Sequence, residues 1–284
     1  MAGLVLAAVD GCRPTAVEDT ATGLRVFFVA SADRDAAAAT LASSLPACVA
    51  TPVDVPDERW AERSQASLSA ITVGAITVAP PWDLPEDRSG VIIIEPSMGF
   101  GTGHHASTRL CLRLLQEVTV SGSRVLDAGT GSGVLAIAAW QLGAACVVAV
   151  DFDLDAVTSA RACAELNGAA DALDIRQADL DRDATVHGAP FSLVLANLTG
   201  GMLVRLATRL STLLTPGGTL IVSGVTREEE DAVTRAFSAV HLPVETRLSE
   251  DEWVGLRLTT PRSPTPASTP REVPSQREGF SARD

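Results

Sequence analysis

No lysine occurs anywhere in the 284 residues, so all 22 cationic side chains are arginines. With alanine so frequent, this reads as a coding bias and carries no functional weight. A cationic excess is missing as well: 35 acids outweigh the arginines and leave a net charge of −13. Phosphate binding depends on clustered cations, so the balance argues against a broad basic surface for gripping nucleic acid, and a basic protein partner fits better. The five cysteines, Cys12, Cys48, Cys111, Cys146 and Cys163, form no CxxC pair and no evident framework. Their odd number suits reduced thiols in a cytosol. Cys146 falls in an apolar strand and reads as packing. No uninterrupted apolar run is long enough to span a membrane. Met1 to Val9 is apolar but lacks a basic n-region and meets Asp10 at once, so no secretory signal is expected. The chain reads as cytoplasmic, with neither a membrane nor a nucleic acid as partner. Nothing at a triad-like spacing calls for a nucleophilic serine or cysteine.

What is present is an ample core, 46% hydrophobic residues, enough for one full domain and a smaller one. The chain is organised around residues 124 to 133, Arg-Val-Leu-Asp-Ala-Gly-Thr-Gly-Ser-Gly. Val125 and Leu126 end a buried strand, Asp127 closes it, Gly129, Gly131 and Gly133 make a tight turn, and Val134 to Leu142 follows as a helix. Glycines here permit positive φ and let a ligand lie against bare backbone, while the helix N-terminus points its N–H groups at that ligand. Dinucleotide-binding and S-adenosylmethionine-binding proteins share such a loop. The dinucleotide fingerprint wants a third glycine where this chain has Val134, because the pattern here is GxGxG. The second strand, Ala145 to Val150, ends in Asp151, an acid placed to accept hydrogen bonds from two ribose hydroxyls. An adenosyl ligand is favoured over a nicotinamide one.

Upstream, residues 1–56 have their own pattern: a strand at Gly23 to Ala30, an alanine-rich helix at Ala32 to Leu45 opened by Ser31, and a second strand at Ala47 to Val53. This predicts a small α+β domain. Residues 57–90 read as a linker, with a strand at Ile71 to Ala79, a possible turn or bulge at Gly74, and a stiff Pro80-Pro81-Trp82-Asp83-Leu84-Pro85. Val91 to Ile94 leads into a second glycine-rich loop, Gly99-Phe100-Gly101-Thr102-Gly103-His104-His105-Ala106-Ser107-Thr108, just before a helix at Arg109 to Glu117. Phe100, Gly101 and Thr102 belong to this ligand-shaped flap, where Phe100 lines the pocket or anchors the loop. Adjacent His104 and His105 make no chelate without further ligands, so no metal is expected.

From Arg124 the strands and helices alternate. Strands are predicted at 124–127, 145–151, 172–177, 191–196 and 218–223, and helices at 133–142, 153–167, 200–213 and 226–239. Repeated βα units mean a parallel sheet with helices on both faces. Val244 to Leu248 and Trp253 to Thr259 form a closing hairpin that adds an antiparallel strand. Residues 91–260 thus form the main domain. Residues 261–284, rich in proline and serine, read as a disordered tail.

Seven strands with an antiparallel last one, GxGxG after the first and an acid after the second, resemble the class I S-adenosylmethionine-dependent methyltransferases, an α/β Rossmann-like fold. More narrowly, Ile71 to Trp82, Gly99 to Thr108 and Val194-Leu-Ala-Asn-Leu198 resemble PrmA, the family that methylates large-subunit ribosomal protein 11. The similarity runs from about Trp60 to Leu258. By that resemblance Thr108, Gly129, Asp151 and Asn197 take the family's cofactor positions, and the methyl acceptor is an amine of a ribosomal protein. Physical reading agrees: Thr108 can meet the methionine end, Gly129 brings backbone against the ligand, and Asn197, past the fourth strand, sits where open α/β sheets bind ligands, its amide able to hold cofactor or, as the catalytic candidate, to orient an incoming amine. Asp179, two residues past strand three, could accept from the adenine amino group. The resemblance implies in-line displacement, with most of the acceleration from alignment and exclusion of water.

Three departures from the family pattern occur, two of them mild and the last in a loop that faces the acceptor. Glu95-Pro96-Ser97 stands for the family's acid-proline-glycine, Ser107 for a threonine, and Leu198-Thr199-Gly200 for isoleucine-leucine-alanine. The N-terminal segment also looks short, as if an opening strand and helix were reduced to Met1 to Thr20. The reading is a protein methyltransferase with the N-terminal unit presenting the substrate. Its rivals are a methyltransferase of the same fold acting on a small molecule or a different protein, a non-catalytic S-adenosylmethionine-binding module, and a nicotinamide-dependent reductase.

Overall fold

A computed structural model describes residues 5, 8–20, 23–28, 30–46, 48–53, 68–95, 103–183, 186 and 188–261. The chain divides into two compact units, residues 1–63 and 64–284.

In the first unit, β1 (Ala16–Thr20) pairs antiparallel with β2 (Gly23–Phe27), Ala16 opposite Phe27 and Thr20 opposite Gly23. The alanine-rich α1 (Ser31–Ser44) follows, with Ala30 rather than Ser31 at the N-cap. Alanine costs no side-chain entropy in a helix, which suits a run with so little apolar surface to bury. Val9, Ala37 and Leu41 form a small core, with Val26, Phe28 and Leu45 packed against it. The α+β character is as read from the sequence, but its second strand is not. Residues 48–53 form no strand; Val49 is 94% and Val53 64% exposed, and Pro52 has no N–H to give a ladder. The partner of β2 lies upstream, in the segment that looked reduced.

The second unit opens on a three-stranded sheet of β3 (Ile71–Val73), β4 (Ile76–Ala79) and β5 (Val91–Ile93), with β4 central, antiparallel to β3 and parallel to β5. The single strand expected over 71–79 is therefore a hairpin, turned at Gly74, whose φ is +63°. It belongs to the main core and not to a free connector: Val73, Ile76, Val78, Ile92 and Ile94 pack in one cluster with Leu112 and Leu115.

The large sheet contains β6 (Arg124–Ala128), β7 (Cys146–Asp151), β8 (Leu173–Gln177), β9 (Phe191–Asn197), β10 (Leu214–Thr226), β11 (Val244–Glu250) and β12 (Trp253–Thr259). Their order is β11-β12-β10-β9-β6-β7-β8. Pairs from β8 to β10 are parallel, while β12 runs antiparallel to both β10 and β11. The closing hairpin folds so that its second strand lies inside. Among the described residues five helices accompany the sheet: α2 (Ala106–Gln116), α3 (Val134–Gln141), α4 (Leu154–Leu166), α5 (Gly200–Thr212) and α6 (Glu230–Ala239).

Successive strand residues point to opposite faces. Val125, Val147, Leu193 and Ile221 join the core containing residues of α2, α3 and α4. Their neighbours Leu126, Val148, Val194 and Val222 join the core containing those of α5 and α6. Every turn at the carboxyl ends of β6, β7 and β9 is thereby held between two packed layers, and the ligand site lies there.

Candidate functional site

The glycine turn is tied down before any ligand arrives. The Gly129 and Thr130 amides both donate to the Val150 carbonyl at 2.9 Å, fastening the end of β6 to the end of β7. Gly129, Gly131 and Gly133 have φ of +77°, +55° and +84°. Asp127, almost wholly buried, accepts from the Thr130 hydroxyl at 2.7 Å and the Ala136 amide at 3.1 Å, linking the turn to α3. Its Oδ1 has no hydrogen-bond partner among the described residues. Burial pushes its carboxyl up to about 7, against the pull of those two donors, and the charge of Asp151 adds to the rise.

Asp151 closes β7 and its carboxylate is fixed at both oxygens: Oδ2 accepts from the Gly131 amide at 3.0 Å and Oδ1 from the Asp153 amide at 3.1 Å. A carboxylate has about four lone-pair sites, so acceptor capacity remains for a diol. Asp153 in turn caps α4 by accepting from the Asp155 amide at 3.0 Å.

Across the sheet edge, Asn197 ends β9 and its Nδ2 donates to the Thr108 hydroxyl at 3.2 Å. Two residues 89 positions apart in sequence therefore meet. Thr108 is not in the loop, as expected, but buried in the first turn of α2, which begins at Ala106 rather than Arg109. The earlier start follows from His105, whose ring nitrogen takes the N-cap role. Gly224 lies against the Asn197 amide: a Cβ there would approach Oδ1 to 3.1 Å and the Leu198 carbonyl to 2.4 Å.

These pieces surround a cavity of about 440 Å³, within the range of small-molecule sites. Of the residues singled out from the sequence, Gly129, Gly131, Asp151, Asp179 and Asn197 line it, whereas Thr108 is buried behind and its neighbour Ser107 takes the place on the wall. Asp179 is held in a local turn, its Oδ1 accepting from the Asp181 amide at 2.9 Å and its Oδ2 lying 3.5 Å from Arg182. Phe100, Gly101 and Thr102 lie outside the described residues. Sequence reading missed Phe152, His105 and Trp253 as walls of the cavity. Phe152, 65% exposed, could have been found from its place directly after the strand-end acid. Trp253 could not, because only the inward position of β12 brings it here. Its indole meets His105 edge-on, ring centroids 4.4 Å apart.

S-adenosylmethionine fits this arrangement. The backbone is bare at Gly129, where a Cβ would fall 2.4 Å from Leu198 Cδ2, and the carboxylate of Asp151 keeps lone pairs that a ribose diol would need. No group of three His, Cys, Asp or Glu side chains that could hold a metal occurs among the described residues. Nor is any described helix long and apolar enough to cross a membrane.

Comparison with known proteins gives the same answer from a different direction. The family described as Ribosomal protein L11 methyltransferase (PrmA) matches residues 13–261. A ribosomal protein L11 methyltransferase of Symbiobacterium thermophilum is 41% identical over 211 residues, covering 73% of this chain and 67% of the relative. One from Chloroflexus aurantiacus is 40% identical over 224 residues, covering 70% and 68%. Among solved structures, the ribosomal protein L11 methylase of Lactobacillus delbrueckii subsp. bulgaricus superposes with a TM-score of 0.61 at 28% identity, covering 69% of this chain and 99% of that one. The glycine turn, the strand-end acid, the Thr108–Asn197 contact and a match spanning both units establish that the chain belongs to the PrmA family of S-adenosylmethionine-dependent methyltransferases.

Proposed function

We propose that this protein moves methyl groups from S-adenosylmethionine to amine nitrogens, of lysine or of the N-terminus, on large-subunit ribosomal protein 11 in the cytoplasm. When bound, the cofactor supplies an electrophilic methyl on a positively charged sulfur. The chain's own residues bind, orient and shield. Gly129, Gly131 and Asp151 hold the adenosine side at the ends of β6 and β7. Thr108 and Asn197 hold the opposite rim. Because Asn197 Nδ2 is directed to Thr108, its Oδ1 is the acceptor left to orient an incoming amine. His105, Trp253 and Met202 wall the cavity, and exclusion of water there favours transfer to the amine over hydrolysis.

The observation that carries the reading is the Thr108–Asn197 contact, which joins the flap-bearing helix to the end of β9 at the point where an acceptor must enter. The rival reading is a changed acceptor, a small molecule or a different protein. Incubation with labelled S-adenosylmethionine separates the two: label on purified ribosomal protein 11 supports the proposal. Label only in a small-molecule extract of the source cells keeps the methyltransferase and overturns the substrate.

A further inference from the structure

His105 occupies the N-cap of α2. Its backbone is extended, at φ −74° and ψ 135°, and its Nδ1 accepts the Ser107 amide at 3.3 Å and lies 2.7 Å from the Ser107 hydroxyl. Serine, asparagine and aspartate are usual at this position because each offers an oxygen acceptor at neutral pH. A histidine can accept there only as the neutral ring with its proton on Nε2. That makes this cap conditional, whereas Asp153 caps α4 with a carboxylate.

What the cap supports is the cofactor rim itself. Ser107 lines the cavity, and the adjacent Thr108 receives the hydrogen bond from Asn197. Resting on the methyltransferase reading above, we infer that His105 is a positioning residue: as neutral imidazole it caps α2 and holds Ser107 and Thr108 in place for cofactor binding, and protonation releases the cap. Three features favour the neutral ring. Burial holds the imidazole below the usual histidine range, and so does the Arg109 guanidinium; Glu252 pulls the other way. Arg109 is itself fixed, bonded to the His104 carbonyl and to Glu250. A cation at a helix N-terminus also opposes the macrodipole. Trp253 holds the ring edge-on. In the capping tautomer Nε2 carries the proton, so the same ring does not serve as the base that receives a proton from the amine.

The sign follows from the lowered value. The stability of the cap is present above about pH 6.5, the ordinary histidine value, and is lost as pH falls through the lower value of the folded protein.

The test uses the full chain and two substitutions. S-adenosylhomocysteine is titrated calorimetrically at about pH 7.5 and about pH 4.5, the second far enough below the ordinary histidine value to reach a lowered one. Protection of the Ser107 amide against hydrogen exchange is measured without ligand at both. His105→Ala should weaken binding about five- to tenfold at the higher pH, the equivalent of losing a cap, and should remove Ser107 protection. His105→Asn restores an acceptor and should bind within about twofold of the parent, with no change between the two pH values. The parent should fall toward His105→Ala at the lower pH. The inference is overturned if His105→Asn is as weak as His105→Ala, or if the parent's affinity and Ser107 protection are the same at both pH values. A parent that fails to bind S-adenosylhomocysteine at all would overturn the methyltransferase reading instead, and Ser107 protection would still decide the role of the cap.

Discussion

A side chain at position 129 has nowhere to go. Gly129 combines a φ of +77° with a virtual Cβ 2.4 Å from Leu198 Cδ2. Gly129→Ala should therefore introduce left-handed strain of about 1–2 kcal/mol and push Leu198 out of its place on the acceptor side. We predict that the variant folds but binds S-adenosylmethionine roughly tenfold more weakly, tenfold being about 1.4 kcal/mol; unchanged calorimetric affinity would refute this. Asp127 makes a different kind of prediction. The unfolded carboxyl ionises near about pH 3.9, whereas the folded one keeps its proton up to about 7. Between those values the unfolded chain binds fewer protons, so the group's contribution to stability falls as pH rises and levels off above 7. The loss approaches a few kcal/mol, at about 1.4 for each pH unit. Asp127→Asn has no such titration. Urea denaturation of both proteins across this range should show the parent losing stability relative to the variant from about pH 4 to 7, and a constant difference would contradict the account.

Three side-chain amides hold the small sheet in place, and each projects from the far end of a helix. Gln116 accepts from the Ala75 amide at 2.7 Å and donates to the Val73 carbonyl at 2.8 Å. Gln141 donates to the Val91 carbonyl at 2.8 Å. Asn167, just past α4, accepts from the Ile93 amide at 2.8 Å and donates to the Ile93 and Cys163 carbonyls at 2.7 Å each, standing in for a neighbouring strand. Asn167→Ala strands both polar groups of Ile93 in a partly buried place, at about 1–3 kcal/mol each. Denaturation should show a loss of about 2–6 kcal/mol, and a loss too small to resolve would mean that water replaces the amide. At this scale the sequence was readable where periodicity and end signals act together. Every strand expected in the large sheet is present, though β10 runs well past 218–223 at both ends and α6 starts at Glu230 rather than 226, and Gly168, at φ +66°, ends α4. The amide clamps were invisible, because a glutamine at a helix end looks the same whether it meets water or a strand. The start of α2 was misplaced for a related reason: Ser107 and Thr108 continue the glycine-rich loop in sequence, and nothing in a sequence marks His105 as the cap. The strand expected at Ala47 to Val53 failed because alternation alone does not supply a partner.

The whole molecule joins a PrmA catalytic unit to a small α+β unit, and the family match covers both. Its glycine turn and strand ends were legible, since Gly129, Gly131, Asp151 and Asn197 stand at the carboxyl ends of β6, β7 and β9 as strand periodicity implied, and all four line the cavity. Its acceptor half was less so, because Trp253 reaches the site only through the inward turn of β12, a choice of strand order that periodicity does not encode. A net charge of −13 gives the protein a field that attracts a basic partner over distances longer than any contact, with a rate that falls as salt is added. Ribosomal proteins that bind RNA through cations have that character. The most direct test of the central claim is the initial rate of methyl transfer from labelled S-adenosylmethionine to purified ribosomal protein 11, for the parent and for Asn197→Ala. The account predicts label on the ribosomal protein and a rate about 100-fold lower in the variant, the scale of a misplaced reacting group. Absence of label with the parent, or an undiminished rate with Asn197→Ala, would contradict it.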